Sequence, residues 1–250
     1  MSRTDSGGTE LIDLRSEVAD ATERARLCEE FFSGVYKAAF PKPNQTETPD
    51  VWLPLLSGDH PSPIPILHII VARQPSPIDG GERVVGGIVV EYFRRSRTAL
   101  ATYLAVAPEE QRRGLGRRLL DKAIDKVSID NGGSPPPIFA EVERPGSQNS
   151  EMDRRAAQRR LSVIAALGGR RLEFAYIQPK LGVHQEAIND LMLVLLEPGG
   201  PISNGVPRAT LEPFLDEFYG SLGQREAPEF NVVINSLPAD RIVLKELHSP

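Results

Sequence analysis

The sequence predicts an α/β protein with a mixed, mostly antiparallel central sheet flanked by helices. Three apolar runs, "IPILHIIVA" (64–72), "RVVGGIVVEYF" (83–93) and "TALATYLAVA" (98–107), follow one another across short turns. They are rich in Val, Ile and aromatics, as successive strands of an antiparallel meander are. From residue 114 onward, helical and strand patterns alternate, which adds strand-helix-strand crossovers. The chain has 250 residues, 40% hydrophobic and 25% charged, an ordinary globular composition large enough for one core plus an extension.

Residues 1–9 are polar and glycine-rich and are expected to be disordered. "ELIDLRSEV" mixes apolar and polar residues as a short strand does. Between Thr22 and Phe40, Ala25, Cys28, Phe31, Phe32 and Val35 recur at helical spacing, with Thr22 as cap and Pro41 as stop. "ETPDVWLPLLSG" reads as a second short helix bent at Pro54. The run 98–107 is apolar on both faces and belongs centrally in the sheet. From Gly114 to Asp130, Leu115, Leu119, Ala123, Ile124 and Val127 form one stripe of an amphipathic helix.

"PIFAEVERP" (137–145) is a strand with Phe139, Glu141 and Glu143 on one face. "SEMDRRAAQRRLSVIAALGG" is a helix closed by a glycine pair. "RRLEFAYIQP" and "INDLMLVLLEP" follow as strands. After Pro198 the composition turns to Gly and Pro; "LEPFLDEFYGSL" then reads as a helix, and "EFNVVINSL" with "DRIVLKEL" as a hairpin. The expected organisation is a main domain over 10–198 and a C-terminal helix-plus-hairpin extension over 199–250. That extension could add strands to the sheet edge, cover an acceptor cleft or build a homodimer interface.

The 29 basic and 34 acidic residues leave a net charge of −5, so no global field attracts nucleic acid or anionic membrane. Neither is an expected partner. A single cysteine, Cys28, excludes intramolecular disulfides and cysteine-built metal sites. No metal-binding cluster is read from the sequence. His68 lies inside an apolar strand and is expected to be a satisfied core histidine, with His60, His184 and His248 in loops or the tail. "MSRTDSGGTE" lacks an apolar signal core and no stretch reaches the roughly 20 apolar residues of a membrane span, so a cytoplasmic protein is expected.

One stretch departs from this blandness. "EEQRRGLGRRLL" (109–120) sets four arginines around two glycines between an apolar strand and a helix. A helix start leaves backbone N–H groups unpaired and concentrates about half a positive charge, which makes it an anion site. Gly114 and Gly116 let a large anion approach the backbone, while Arg112, Arg113, Arg117 and Arg118 can reach phosphates. A phosphate-binding NTPase loop would need Lys-Ser/Thr after the second glycine, and Leu119 stands at the third-glycine position of a dinucleotide fingerprint.

"YLAVAPEEQRRGLGRRLL" resembles the acyl-coenzyme A motif of the Gcn5-related N-acetyltransferases, with Gln111, Gly114 and Gly116 at the motif positions. The element order from residue 10 to about 197 also resembles that family's fold. The resemblance implies an acyl-CoA N-acyltransferase fold that takes acetyl-CoA as co-substrate. It further implies that the backbone of Leu104, Ala105 and Val106 pairs with the pantetheine arm, and that of Gln111, Arg112, Arg113, Gly114, Leu115, Gly116 and Arg117 with the pyrophosphate. The expected reaction moves the acetyl group to a primary amine of a small molecule or peptide. The alternative is a coenzyme-binding or interaction module that keeps the fold without turnover.

Acyl transfer to an amine needs a base for the ammonium and an acid for the leaving thiolate. By resemblance the base is a strand carboxylate; the predicted strands offer Glu91, Glu141, Glu143 and Glu173, with Glu141 first, then Glu143, and Glu91 behind. The family's usual acid is a tyrosine in the helix after that strand, and Ile164 falls at its position. Tyr103 and Tyr176 are the substitutes the sequence offers, although both also read as packing residues. "YIQPKL" places Gln178 and Lys180 in a connecting loop that could line an acceptor site.

Overall fold

The computed structural model describes residues 8–42, 46–76, 80–182, 184–197 and 205–247. The expected disorder of residues 1–7, the start of the extension at 199–204 and His248 lie outside the described residues. The chain divides into two compact units.

The first unit contains residues up to His60, Ile66–Tyr92 and Ala101–Ser134. It holds β1 (Glu10–Asp13), α1 (Ala21–Phe31), α2 (Lys37–Ala39), α3 (Pro49–Ser57), β2 (Ile66–Pro75), most of β3 (Glu82–Phe93) and of β4 (Thr98–Val106), and α4 (Leu115–Asp130). Its strands lie in the order β1-β2-β3-β4. Antiparallel pairing sets Glu10 opposite Arg73, and Ile66 opposite Tyr92.

The first helix starts two residues earlier than the pattern suggested. Asp20, not Thr22, is the cap, its Oδ1 accepting from the Glu23 N–H at 2.8 Å. Beyond Phe31 the helix widens into a π-helical segment, Phe32–Tyr36, before α2. Pro49 opens α3 at a position where its missing N–H costs nothing, and Pro54 sits inside it. Gly87 shows why β3 carries two glycines: an added Cβ would stand 2.7 Å from the Phe31 ring and 3.0 Å from the Ile70 carbonyl. On α4 the buried stripe is Leu115, Leu119, Leu120, Ala123 and Val127, with Ile124 only half-buried.

The second unit contains Pro61–Pro65, Phe93–Leu100 and residues from Pro135 on. It holds β5 (Ile138–Glu143), α5 (Glu151–Ala166), β6 (Gly169–Leu172), β7 (Leu191–Leu196), β8 (Val206–Pro207), α6 (Arg208–Ser221), α7 (Pro228–Asn235), β9 (Arg241–Ile242) and β10 (Leu244–Glu246). Its main strands run β5-β7-β6-β10, each neighbouring pair antiparallel. Ser150 caps α5 by accepting from the Asp153 N–H at 3.0 Å. The α5 helix ends at Leu167 and left-handed Gly168, as the glycine pair predicted.

Two expectations fail here. The strand over "RRLEFAYIQP" is only the four residues of β6; beyond it the chain makes one isolated bridge, Gln178 to Ile188. The C-terminal hairpin does not exist either, because "EFNVVINS" forms α7. Phe230, Val233, Ile234 and Leu237 recur at helical spacing behind Pro228, and they pack on the core of this unit. The segment "DRIVLKEL" instead splits into β9, paired with β8, and β10, which adds a strand beside β6.

The core of this unit joins Phe93, Phe139, Leu193 and Leu195 to Leu211, Phe214, Leu215 and Phe218 of α6. Phe139 and Phe214 have ring centroids 4.7 Å apart, and the Phe214 and Phe218 rings stack at 5.8 Å. Glu217, on the same helix and 1% exposed, accepts from the Ser96 N–H at 2.9 Å and from the Ser62 hydroxyl at 3.0 Å. The chain is thus of the mixed α/β class, its described strand pairs mostly antiparallel and flanked by helices.

Candidate functional site

The strand β4 alternates as a strand must: Tyr103 and Ala105 are buried, whereas Leu104 and Val106 are only partly so. After Val106 the chain makes a 3₁₀ turn at Pro108–Glu110. Gln111 folds back over that turn, its Nε2 donating to the Val106 carbonyl at 3.0 Å. The motif glutamine therefore staples the loop to the strand end. Arg112 and Gly114 follow with φ of 61° and 79°, both left-handed.

Gly114 caps α4 without any side-chain hydrogen bond, and the first backbone bond of this helix start is Arg118 N–H to Gly114 O at 3.1 Å. The N–H groups of Leu115, Gly116 and Arg117 precede it and point out of the helix start. An added Cβ at Gly116 would meet only Leu104 Cδ2, at 3.8 Å. Open space in front of three unpaired donors is the geometry an oxyanion group requires.

The arginines divide. Arg113 pairs with Glu110 at 3.1 Å and Arg117 with Asp121 at 2.8 Å, both on the surface, while Arg118 donates to the Thr9 carbonyl at 3.2 Å. Exposed pairs of this kind contribute little, about 0.2–1 kcal/mol, so either side chain can turn toward a phosphate at small cost. Arg112 is exposed at the left-handed corner of the loop.

The catalytic candidates fall in both units, Tyr103 in the first and Glu141 and Glu143 in the second. Tyr103 is 5% exposed and packs edge-on against Tyr36, ring centroids 4.9 Å apart. Glu141 is partly buried; Tyr176 donates its hydroxyl to Oε1 and Gln178 its Nε2 to Oε2, at 2.8 Å. Burial, reinforced by the Glu141 charge, pushes the Tyr176 phenol far above its usual range, so it keeps its proton. Glu143 is 5% exposed and paired with Arg160. Glu91 accepts from Thr102 at 3.2 Å, and Glu173 is tied to Arg171 and Lys245.

The partners of Glu141 come from "YIQPKL", 35 and 37 positions further along the chain. The alternation of the strand that was expected there hid them, and their polar tips in an apolar stretch were the one available signal. Lys180 pairs with Glu186 at 3.5 Å. The Ile164 side chain packs against the Gly169 backbone, 2.5 Å from where a Cβ would stand.

His68 is the satisfied core histidine the sequence suggested, with Nδ1 2.9 Å from Asp13 and Nε2 2.8 Å from Asp130. Cys28 is fully buried and its thiol pushed up to about 12 by that burial, which makes it inert. Among the described residues no group of three or more His, Cys, Asp or Glu could hold a metal ion, and no helix is long and apolar enough to cross a membrane.

Residues 65–144 match the Acetyltransferase (GNAT) domain family. Solved structures similar in fold include an acetyltransferase assigned to the GNAT family from Bacteroides thetaiotaomicron, at 18% identity over 84% of this chain and 94% of that one, TM-score 0.49. Tetrahymena GCN5 shares 17% over 76% of this chain and 98% of that one, TM-score 0.43. The ribosomal-protein-S18-alanine N-acetyltransferase from Escherichia coli shares 13% over 77% and 97%, TM-score 0.38. No curated protein matches the sequence. The family match thus runs from β2 to β5, and over those residues the chain is similar to GNAT acetyltransferase domains.

Proposed function

We propose that this protein transfers an acetyl group from acetyl-CoA to a primary amine. The carrying observation is the uncapped start of α4 with left-handed Gly114 and open Gly116 directly behind β4. Three outward N–H donors and the helix dipole suit a pyrophosphate. The backbone of Leu104, Ala105 and Val106, on the strand that leads into this helix start, suits the amides of a pantetheine arm, and Arg112, Arg113 and Arg117 supply positive charge. Gln111 acts by holding the loop closed.

In this reading Glu141 is the base. Tyr176 and Gln178 donate to its two oxygens and orient it, whereas Glu143 is paired with Arg160. The ammonium loses one proton to Glu141 and the neutral amine attacks the thioester carbon; the C–S bond breaks, the nitrogen gives its second proton to solvent and the thiolate takes one from solvent. The hydroxyl of Tyr103 is bonded to Tyr36 and that of Tyr176 to Glu141, so both tyrosines serve packing and orientation rather than acid catalysis.

Acetyl-CoA is expected to raise the melting temperature of the wild type and not that of Gly116→Glu, because a ligand of the folded state alone stabilises it by mass action. The new side chain has room, so the variant folds, and its carboxylate repels phosphate. No rise at millimolar acetyl-CoA in the wild type overturns the reading. A second reading, a coenzyme-binding module without turnover, is favoured by Ile164 at the position of the usual acid. It predicts the same thermal shift but no thiol release with any amine.

A further inference from the structure

The two donors of Glu141, Tyr176 and Gln178, flank Ile177 in a segment that lies outside the strands β6 and β7. No continuous ladder fixes such a backbone, so its conformation depends on separate contacts. These come from elsewhere in the second unit. Tyr219, fully buried on α6, donates its hydroxyl to the Ile177 carbonyl at 2.6 Å. The Gln178 N–H donates to the Ile188 carbonyl at 2.8 Å, and the Gln178 carbonyl accepts from the Ile188 N–H at 3.0 Å. Ser236, at the end of α7, accepts from the Ala175 N–H at 3.2 Å.

The Ile177 carbonyl and the Gln178 N–H belong to one planar peptide unit. Tyr219 holds that unit at its oxygen and Ile188 at its nitrogen, so it cannot rotate without breaking a hydrogen bond. The side chains on either side of the unit are the ones that reach Glu141. Burial, with the charges of Glu141 and Glu229, pushes the Tyr219 phenol up from its usual range, so the hydroxyl keeps the proton it donates. Its ring is seated separately against Phe230, with centroids 5.0 Å apart. We infer that Tyr219 is a positioning residue for Glu141: through the Ile177 carbonyl it sets where Tyr176 and Gln178 meet the carboxylate. It touches no reacting atom. The helix that carries it lies outside residues 65–144, so the C-terminal part of the chain governs a side chain within the matched domain. The positioning stands on these contacts; only its effect on turnover rests on the reading of Glu141 as base.

Tyr219→Phe removes the hydroxyl and keeps the ring. Donors on an ionised carboxylate hold its pKa down, so loosening them lets it rise. Carbon-13 labelling of the glutamate carboxyls, with Glu141→Gln to assign the signal, follows this carboxylate by nuclear magnetic resonance without turnover. The Glu141 titration midpoint is expected to rise by about 0.5 pH unit or more in Tyr219→Phe. Phe218→Leu loosens the same helix but leaves the Tyr219 hydroxyl in place, so it should lower the melting temperature and leave the midpoint unmoved. Equal midpoints in wild type and Tyr219→Phe, or an equal rise in Phe218→Leu, overturns the proposal. If Tyr219→Phe melts too early to titrate, p-aminophenylalanine at position 219, a weaker donor, takes its place; a smaller rise is then expected, and no rise overturns the proposal. With an amine that supports thiol release, Tyr219→Phe should lower kcat about three- to tenfold at unchanged KM for acetyl-CoA. Full kcat in Glu141→Gln beside a shifted midpoint in Tyr219→Phe would overturn the base reading alone.

Discussion

Arg112 holds φ at 61°, a left-handed conformation that costs a side-chain-bearing residue about 1–2 kcal/mol. Glycine there would remove most of that cost and add about 0.5–1 kcal/mol of chain entropy to be lost on folding. Arg112→Gly is therefore expected to stabilise the protein by roughly 0.5–1 kcal/mol, read as a higher urea midpoint at unchanged slope. An unchanged or lower midpoint would mean that the arginine makes compensating contacts. At this scale the shape of the loop proposed to hold the coenzyme was legible, because a glycine pair behind a strand and a glutamine at fixed spacing are local facts. The environment of Glu141 was not, since Tyr176 and Gln178 arrive through the fold.

Elements of the first unit are tied by a buried charged cluster. Asp13 ends β1, His68 lies on β2 and Asp130 ends α4, so one imidazole joins three elements. The groups facing it are Asp13, Asp130 and, around Asp13, Ser16, Glu17 and Lys126. Desolvation alone would lower the His68 pKa, but its hydrogen bonds to both aspartates outweigh that and raise it above 6.5. Burial alone would raise Asp13, and His68, Ser16 and Lys126 together bring it below 3.8. A raised histidine contributes stability that is complete below 6.5 and lost as pH rises through its folded value. A lowered aspartate contributes stability that is present above 3.8 and lost as pH falls through its folded value. Stability should thus be greatest between these limits, and His68→Gln should flatten the alkaline decline and alter the acid one too, because His68 is the main group that holds Asp13 down. Urea midpoints measured from pH 4 to 9 check this, and an equal alkaline slope in the variant would refute it. Element types were legible wherever periodicity ran long, as in α4, α5 and the β2–β3 pair. They failed at α7, where Val232 and Val233 favour a strand locally and packing of Phe230, Val233 and Leu237 decided for a helix.

For the molecule as a whole, the composition shift after Pro198 suggested an appendage to a main domain ending there. Within the second unit the two parts share one core, and of the roles open to the extension it adds a strand at the sheet edge. The face of α6 bearing Leu211, Phe214, Leu215 and Phe218 covers Phe93, Phe139 and Leu195, and β10 pairs along β6. Sequence could not show this, because an amphipathic helix advertises that it has a partner without saying which surface that is. Removing the segment would uncover at least three large side chains of the remaining core, at about 1.5–3 kcal/mol each, along with the donors now held by Glu217. Those losses reach the 5–15 kcal/mol that a domain of this size has in total. A chain of residues 1–198 is therefore expected to be insoluble, or to lack a cooperative thermal transition, whereas the full chain melts cooperatively. The comparison needs only expression of both lengths, a sedimentation assay and a melting curve. A soluble, cooperatively folding 1–198 fragment would show that α6 is a cover rather than part of the core. In that case the aromatic stack of Phe139, Phe214 and Phe218 would contribute far less than its burial implies.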